Sequence, residues 1–182
     1  MVVVLAVVAI LAAVLTPMLT RMVDDARVVR ASNEVQEISK AVLNFRENTG
    51  RWPIFVSGVS ITTSSSIYDV LVGPGADPIP ASSAWLTGTR GSAEDVLLRN
   101  APAYTTSGRF QWRGPYLGEL GADPWGNAYL INTKTLRFGA NEAGLVLSAG
   151  PNGTVETTFQ QTIGSGSAAV AIGGDDIAAR IR

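Results

Sequence analysis

Neither cysteine nor histidine occurs anywhere in the 182 residues. Without cysteine there is no disulfide and no thiol nucleophile. Without histidine there is no Ser-His-Asp triad, and without either there is no ordinary zinc or iron site. A metal would have to be held by oxygen alone, which leaves calcium or magnesium. Charge is also scarce, with Asp, Glu, Lys and Arg making up 16% of the chain. Fourteen basic residues face fifteen acidic ones, for a net charge of −1. No basic field is available to draw nucleic acid, and none is expected as a partner. The length suits one globular domain and little more.

What is abundant is apolar surface. Hydrophobic residues reach 46%, and the mean hydropathy is +0.21. The excess sits at the N-terminus, where MVVVLAVVAILAAVLTPMLT runs to Arg21 without a charge. Twenty helical residues span about 30 Å, the thickness of a bilayer core. A cleaved signal peptide would need a basic start, a shorter apolar core and a better cleavage sequence than AILAA. A plain membrane anchor and an anchor that doubles as an assembly element both fit, and the residues that follow favour the second.

From Met22 to Asn48 there is neither Gly nor Pro, so the helix is predicted to continue. Apolar residues fall at Val28, Ala31, Val35, Ile38, Val42 and Phe45, in steps of 3 and 4. That spacing makes a narrow seam that packs on one partner surface. Arg27, Arg30, Glu34, Glu37, Lys40, Arg46 and Glu47 form the solvated face, with Arg30 and Glu34 placed to pair. Pro17 is expected to kink or loosen the helix, and Asn48-Thr49-Gly50 to end it.

The texture then changes. Residues 54–112 are rich in Ser, Thr, Gly and Pro, with Tyr68, Leu71, Trp85 and Trp112 interleaved as expected core. SSIYDVLVG is predicted as a short helix, and Ser92-Ala93-Glu94-Asp95 as a capping box opening a second. AYLIN, TLRFG and GLVLSA read as strands, and AAVAI as a candidate fourth. The predicted fold is α+β: a long N-terminal helix, half membrane and half amphipathic, packed on a small antiparallel sheet with long loops. Its divisions are 1–20, a transmembrane or filament-core segment; 21–50, the amphipathic continuation; 51–127, a loop-rich connection with short helices; and 128–182, the sheet and C-terminal loop.

An apolar start ending in AILAAVLTPML, an amphipathic continuation and a closing GRWP resemble the type IV pilin superfamily. Four ordered motifs narrow the resemblance to the major pseudopilin of type II secretion systems: Arg113-Gly114-Pro115-Tyr116-Leu117, Asp123-Pro124-Trp125-Gly126-Asn127-Ala128-Tyr129, Ser148-Ala149-Gly150-Pro151-Asn152-Gly153 and Gly174-Asp175-Asp176-Ile177. The resemblance covers residues 1–53 and 113–177, while 54–112 is longer than in compact members. It implies a structural role without catalysis: a single-pass inner-membrane protein with its C-terminal domain in the periplasm, which leaves the lipid to join a homo-oligomeric helical filament. The implied partners are minor pseudopilins and the inner-membrane assembly platform. It further implies a basic leader and a glutamate upstream of Met1, with cleavage of the leader and methylation of the new terminus. A type IV pilus subunit and a membrane-anchored binding module are the alternatives. The second would expose Trp52, Trp85, Trp112 and Trp125. An anchored hydrolase would need paired carboxylates about 5–10 Å apart in a cleft, for which no feature is visible.

Most motifs have a structural reading. Asp123-Pro124 opens a turn, Gly126-Asn127 permits positive φ, and Trp125 is expected to plug the seam between sheet and helix. Asp24 and Asp25 point in different directions of one helix and read as interfacial charges, not an acid–base pair. Metal chemistry concentrates in the C-terminal loop. Asp175 and Asp176 supply hard anionic oxygens, Asn152 a carbonyl oxygen, and the Gly-rich turns backbone carbonyls, which together suit calcium. The candidate ligands are Leu147, Asn152, Asp175 and Asp176. The resemblance places calcium at the positions of Asn152 and Asp176 with backbone oxygens, although the family usually has aspartate where Asn152 stands. The alternative is a pair of turn or capping aspartates that hold the terminal segment without metal.

Overall fold

The computed structural model describes residues 2–58, 67–80, 82–137, 141–163 and 170–182. Inside the first helix, the side chains of residues 2, 5–10, 12, 14, 15 and 17 lie outside the description. The chain is α+β, one long helix packed on a five-stranded mixed sheet.

Helix α1 runs from Val2 to Thr49 with no break at Pro17. Its end is built by Gly50 and Thr49. Gly50 takes φ 68°, where a side chain is strained, and its N–H bonds the Arg46 carbonyl at 2.8 Å. The Thr49 hydroxyl donates to the Phe45 carbonyl at 2.7 Å. The predicted seam is buried from Ala31 through Val35, Ile38, Val42 and Phe45, none more than 2% exposed. Val28 does not belong to it, at 41% exposed, because the sheet ends before it. The Arg30–Glu34 pair forms at 2.8 Å.

The strands are β1 (Val70–Val72), β2 (Arg90–Ser92), β3 (Leu130–Asn132), β4 (Leu145–Ser148) and β5 (Ile177–Arg180), ordered β2-β1-β3-β4-β5. The pair β1–β2 is parallel and the other pairs are antiparallel. The sheet is therefore mixed where an antiparallel one was predicted, and two of its strands come from the segment read as connecting loops. Successive residues alternate between two apolar layers, as the pleat requires. Leu71, Ile131 and Val146 face α1, together with Tyr129 and Leu97. Val70, Leu130, Leu145 and Leu147 face the other side, onto Trp85, Val155 and Phe159. Both faces are covered, so the strands read as continuous apolar runs. Helix α2 (Ala93–Leu97) follows β2, and its cap is as predicted: the Ser92 hydroxyl accepts from the Asp95 N–H at 3.2 Å.

Three local predictions fail. SSIYDVLVG yields strand β1, not a helix, because Val70, Leu71 and Val72 find Asn132, Ile131 and Leu130 as ladder partners. In TLRFG the described residues 135–137 form no strand, because a 3-10 turn runs over Lys134–Leu136, and the last two residues lie outside the described residues. Buried Asn132 accepts the Thr135 N–H there and donates to the Phe159 carbonyl at 2.5 Å. In AAVAI, the described residues from Val170 onward form no strand. The Gln161 amide instead binds both the carbonyl and the N–H of Ala171, at 2.7 and 2.8 Å, replacing a strand neighbour. The fifth strand is Ile177–Arg180.

The DPWGN turn is structural in a different way from the prediction. Asp123 is buried. Its Oδ1 accepts from the Trp125 and Asn127 N–H groups at 3.0 and 2.8 Å, and its Oδ2 from the Ser148 hydroxyl at 2.7 Å. Gly126 alone takes positive φ, and Trp125 is half-buried but joins neither core layer. Tyr129 fills the joint between sheet and helix, 2% exposed, with its hydroxyl donating to the Glu34 carboxylate. Burial and that bond push the Tyr129 phenol well above its ordinary range.

Candidate functional site

Two places carry functional information: the free half of α1 and the C-terminal loop. Along α1, no described residue before Ala31 is buried. Val3, Val4, Leu11, Met18, Leu19, Met22, Val23, Val28 and Val29 are exposed large apolar side chains, up to 74% at Val3. A run of this kind is far beyond the scattered apolar residues of ordinary surfaces. Among the described residues no helix is long and apolar enough to cross a membrane. The uncharged run at 1–20, on which the expectation of a span rests, falls mostly on side chains outside the description. Asp24 pairs with Arg27 at 3.5 Å, both exposed, which agrees with an interfacial charge and not with acid–base chemistry.

The C-terminal loop draws residues from two segments. Ser148 at the end of β4 pairs with Ile177 at the start of β5, so the turns after Ser148 and before Ile177 lie side by side. Asp175 Oδ2 accepts from the Asn152 N–H at 3.1 Å. Asp176 turns the other way, its Oδ2 accepting from the Glu156 and Thr157 N–H groups at 2.9 and 2.6 Å. Glu156 reaches back to the Asn152 side-chain amide at 3.3 Å. Gly174 permits this closeness: at φ 51°, a Cβ there would lie 1.4 Å from Glu156 Oε2.

Two oxygens are left over. Asp175 Oδ1 and Asp176 Oδ1 are buried and accept no hydrogen bond among the described residues. A buried carboxylate oxygen without a donor is costly. Asp176 is 8% exposed as a residue. Burial raises its carboxyl above the ordinary value, and the nearby Glu156 charge adds to this against the opposing hydrogen bonds from Thr157 and Glu156.

Of the four predicted ligands, Asn152 and Asp175 are brought into contact, and Asp176 joins them through Glu156. Leu147 sits fully buried in β4, its side chain in the layer with Trp85. The Asn152 side-chain oxygen is already used, accepting the Thr154 N–H at 2.5 Å. Glu156 was not among the predicted ligands, and its one signal in sequence is an isolated acid between SAGPNG and GGDD. Among the described residues no three acidic side chains converge closely enough to hold a metal ion. A cation here would rest on the two orphaned carboxylate oxygens and on backbone carbonyls, which calcium accepts.

The four tryptophans divide unevenly. Trp85 is buried, its indole N–H donating to the Thr157 carbonyl at 2.7 Å. Trp52 and Trp112 are half-buried against the helix-side core; the Arg46 guanidinium covers the Trp52 ring at 4.2 Å, and Trp112 donates to the Val96 carbonyl at 3.3 Å. Trp125 is half-buried as well, outside both core layers. No row of open aromatic faces results.

No family model, no curated protein and no solved structure matches this chain.

Proposed function

We propose that the protein is a structural subunit of a pilin-like helical filament, held in the membrane by the first half of α1 before assembly. The observation that carries this reading is the division of a single helix at Ala31. After it, the seam is buried by the protein's own sheet. Before it, none of the described apolar side chains is buried. Such a surface is satisfied by lipid or by neighbouring helices of the same kind, and water is the least favourable environment for it. The ordered motifs of the C-terminal half favour a secretion pseudopilin over a pilus subunit. The membrane would be the inner membrane with the head in the periplasm, and assembly would involve the minor subunits and platform expected of such a system. No catalytic role is proposed. The test is membrane expression of the full chain, followed by electron microscopy of sheared surface material. Filaments lost in Leu11→Asp, with the head still folded, are the expected result. Filaments unaffected by that charge would overturn the reading.

The loop at Asp175 and Asp176 is proposed to take calcium. Its two orphaned carboxylate oxygens support this, with Asn152, Glu156 and backbone oxygens, including that of Leu147, as further candidates. Calcium would supply the positive charge that these oxygens lack, and would tie the end of β4 to the start of β5. At calcium a hundredfold above its dissociation constant, the fold would gain about 2.7 kcal/mol. The head should melt higher in millimolar calcium than in chelator, and Asp175→Asn should remove most of the difference. Equal midpoints would leave both aspartates as turn residues.

A further inference from the structure

We propose that the head is electrically polar along α1, and that copies of the chain stack through its opposite poles. The inference deepens the filament reading and rests on it.

The far pole lies where α1 ends. Segments 46–58 and 102–113 meet there: the Gln111 N–H donates to the Asn48 carbonyl at 3.0 Å, and the Gly58 N–H to the Pro102 carbonyl at 2.6 Å. Together they carry Arg46, Arg51, Arg109 and Arg113, against Glu47 as their one acid. None of these four arginines is in an ion pair among the described residues, although five other arginines of the chain are. Arg46 lies over Trp52 and Arg109 lies 5.4 Å from the centre of the Phe110 ring, so two guanidinium groups are held by stacking and keep their hydrogen-bonding edges free. Arg51, Phe110 and Trp112 line a cavity of about 800 Å³ at this pole.

The near pole, towards the uncovered half of α1, has the opposite sign. Its position follows from the sheet register. Ser39 bonds the Arg180 carbonyl, and Arg180 pairs with Leu145. Tyr129 bonds Glu34, and the ladder Leu130–Leu147 places it beside Ser148. From Leu145 to Ser148 the sheet therefore descends α1 from Ser39 to Glu34, and the Asp175–Asp176 loop lies at or below that level. Glu37 and Glu119 line a second cavity there, of about 190 Å³, beside the Arg30–Glu34 ion pair, which cancels its own charge, and Glu156 stands exposed beside the loop. None of these three glutamates is in an ion pair among the described residues. The nearest bases without an ion pair are Lys40, one turn further along α1, and Arg180 at the level of Ser39, fewer than the acids of this pole. From Glu34 to Thr49 the poles are about 22 Å apart at the helical rise.

The occupant is a second copy because the chain is balanced. A binder of external polyanions carries a net positive charge, whereas here the surplus at one pole is matched by the surplus at the other. Joining unlike patches makes a heterologous contact, which generates a filament wherever the rotation between copies does not close into a ring. Each exposed pair is weak and screened by salt, so the contact would set direction and register more than strength.

The absence of native cysteine makes the test direct. In the full-length membrane-expressed chain, Arg109→Cys with Glu119→Cys should yield an oxidised ladder of dimers, trimers and longer species, while either single variant stops at dimers. Arg51→Glu with Arg109→Glu should lower assembled protein by about tenfold, and adding Glu37→Arg with Glu119→Arg should restore it. Restoration also shows that the reversed chains fold. Filaments visible by microscopy with no ladder, or undiminished by the reversal, would overturn the polar contact and leave the filament reading standing. A ladder without filaments would support the contact and remove the filament.

Discussion

The two halves of α1 share a backbone and differ in everything around it. From Ala31 to Thr49 the apolar residues form one stripe, the sheet covers that stripe, and the opposite face is charged. Before Ala31, the described large apolar residues spread over a much wider arc of the helix and remain uncovered. A stripe can be satisfied by one sheet, while a wide apolar arc needs surroundings on more than one side. The comparison teaches that one folded head supplies the environment for the first case only. The second demands lipid or other copies of the chain.

The strongest way to break this comparison is to place the same charge in each half. Ile38→Asp puts a carboxylate into a fully buried site and should cost about 4 kcal/mol or more, enough to unfold a marginal head. Leu11→Asp should leave the head's denaturant midpoint within about 0.5 kcal/mol of the parent, while abolishing assembly. Equal effects on folding in the two halves would mean that the division at Ala31 is wrong. Tyr129→Phe tests the joint itself. It removes the bond to Glu34 at the level where covering begins, and should cost about 1.5 kcal/mol in chemical denaturation. An unchanged midpoint would make that bond incidental.

Acidity sharpens the comparison from the head's side. Folding raises the Asp176 carboxyl above its ordinary value of 3.8. The folded state therefore favours the protonated form. That contribution is complete below the unfolded value and is lost as pH rises through the raised one. In chelator, the parent should lose stability relative to Asp176→Asn as pH rises from below 3.8 through the raised value of the folded carboxyl. Calcium should shrink this loss. Parallel pH curves for the two proteins would mean that the carboxyl titrates alike in the folded and unfolded chains. The smallest effect expected is that of Arg30→Ala, a loss close to the error of a denaturation experiment, because its partner Glu34 retains the Tyr129 hydroxyl. A loss several times larger would show that Arg30 organises the joint.

Periodicity made much of this legible. The helix from Val2 to Thr49, its stop at Gly50, the buried seam from Ala31 to Phe45, the Ser92 cap and strands β3 and β4 all follow from spacing or local chemistry that acts within a few residues. The candidate site was legible as composition: Asn152, Asp175 and Asp176 stand out as oxygen donors in Gly-rich turns. Their arrangement was not. Glu156 entered the site because two turns distant in sequence are placed together by the β4–β5 ladder.

The sequence by itself determined the length and amphipathicity of α1, the exclusion of thiol, imidazole and triad chemistry, and the apolar excess at the N-terminus. These depend on residue types and on the helical period alone. Tertiary structure decided the rest. Val70–Val72 is a strand because Leu130–Asn132 lies beside it, and the run at Lys134 turns because buried Asn132 holds Thr135. Trp125 yields the joint to Tyr129 because Glu34 offers the phenol an acceptor. Short apolar runs are ambiguous until a partner strand completes their backbone hydrogen bonds. A side chain's role in a core is likewise set by what lies across from it, which a linear sequence does not contain.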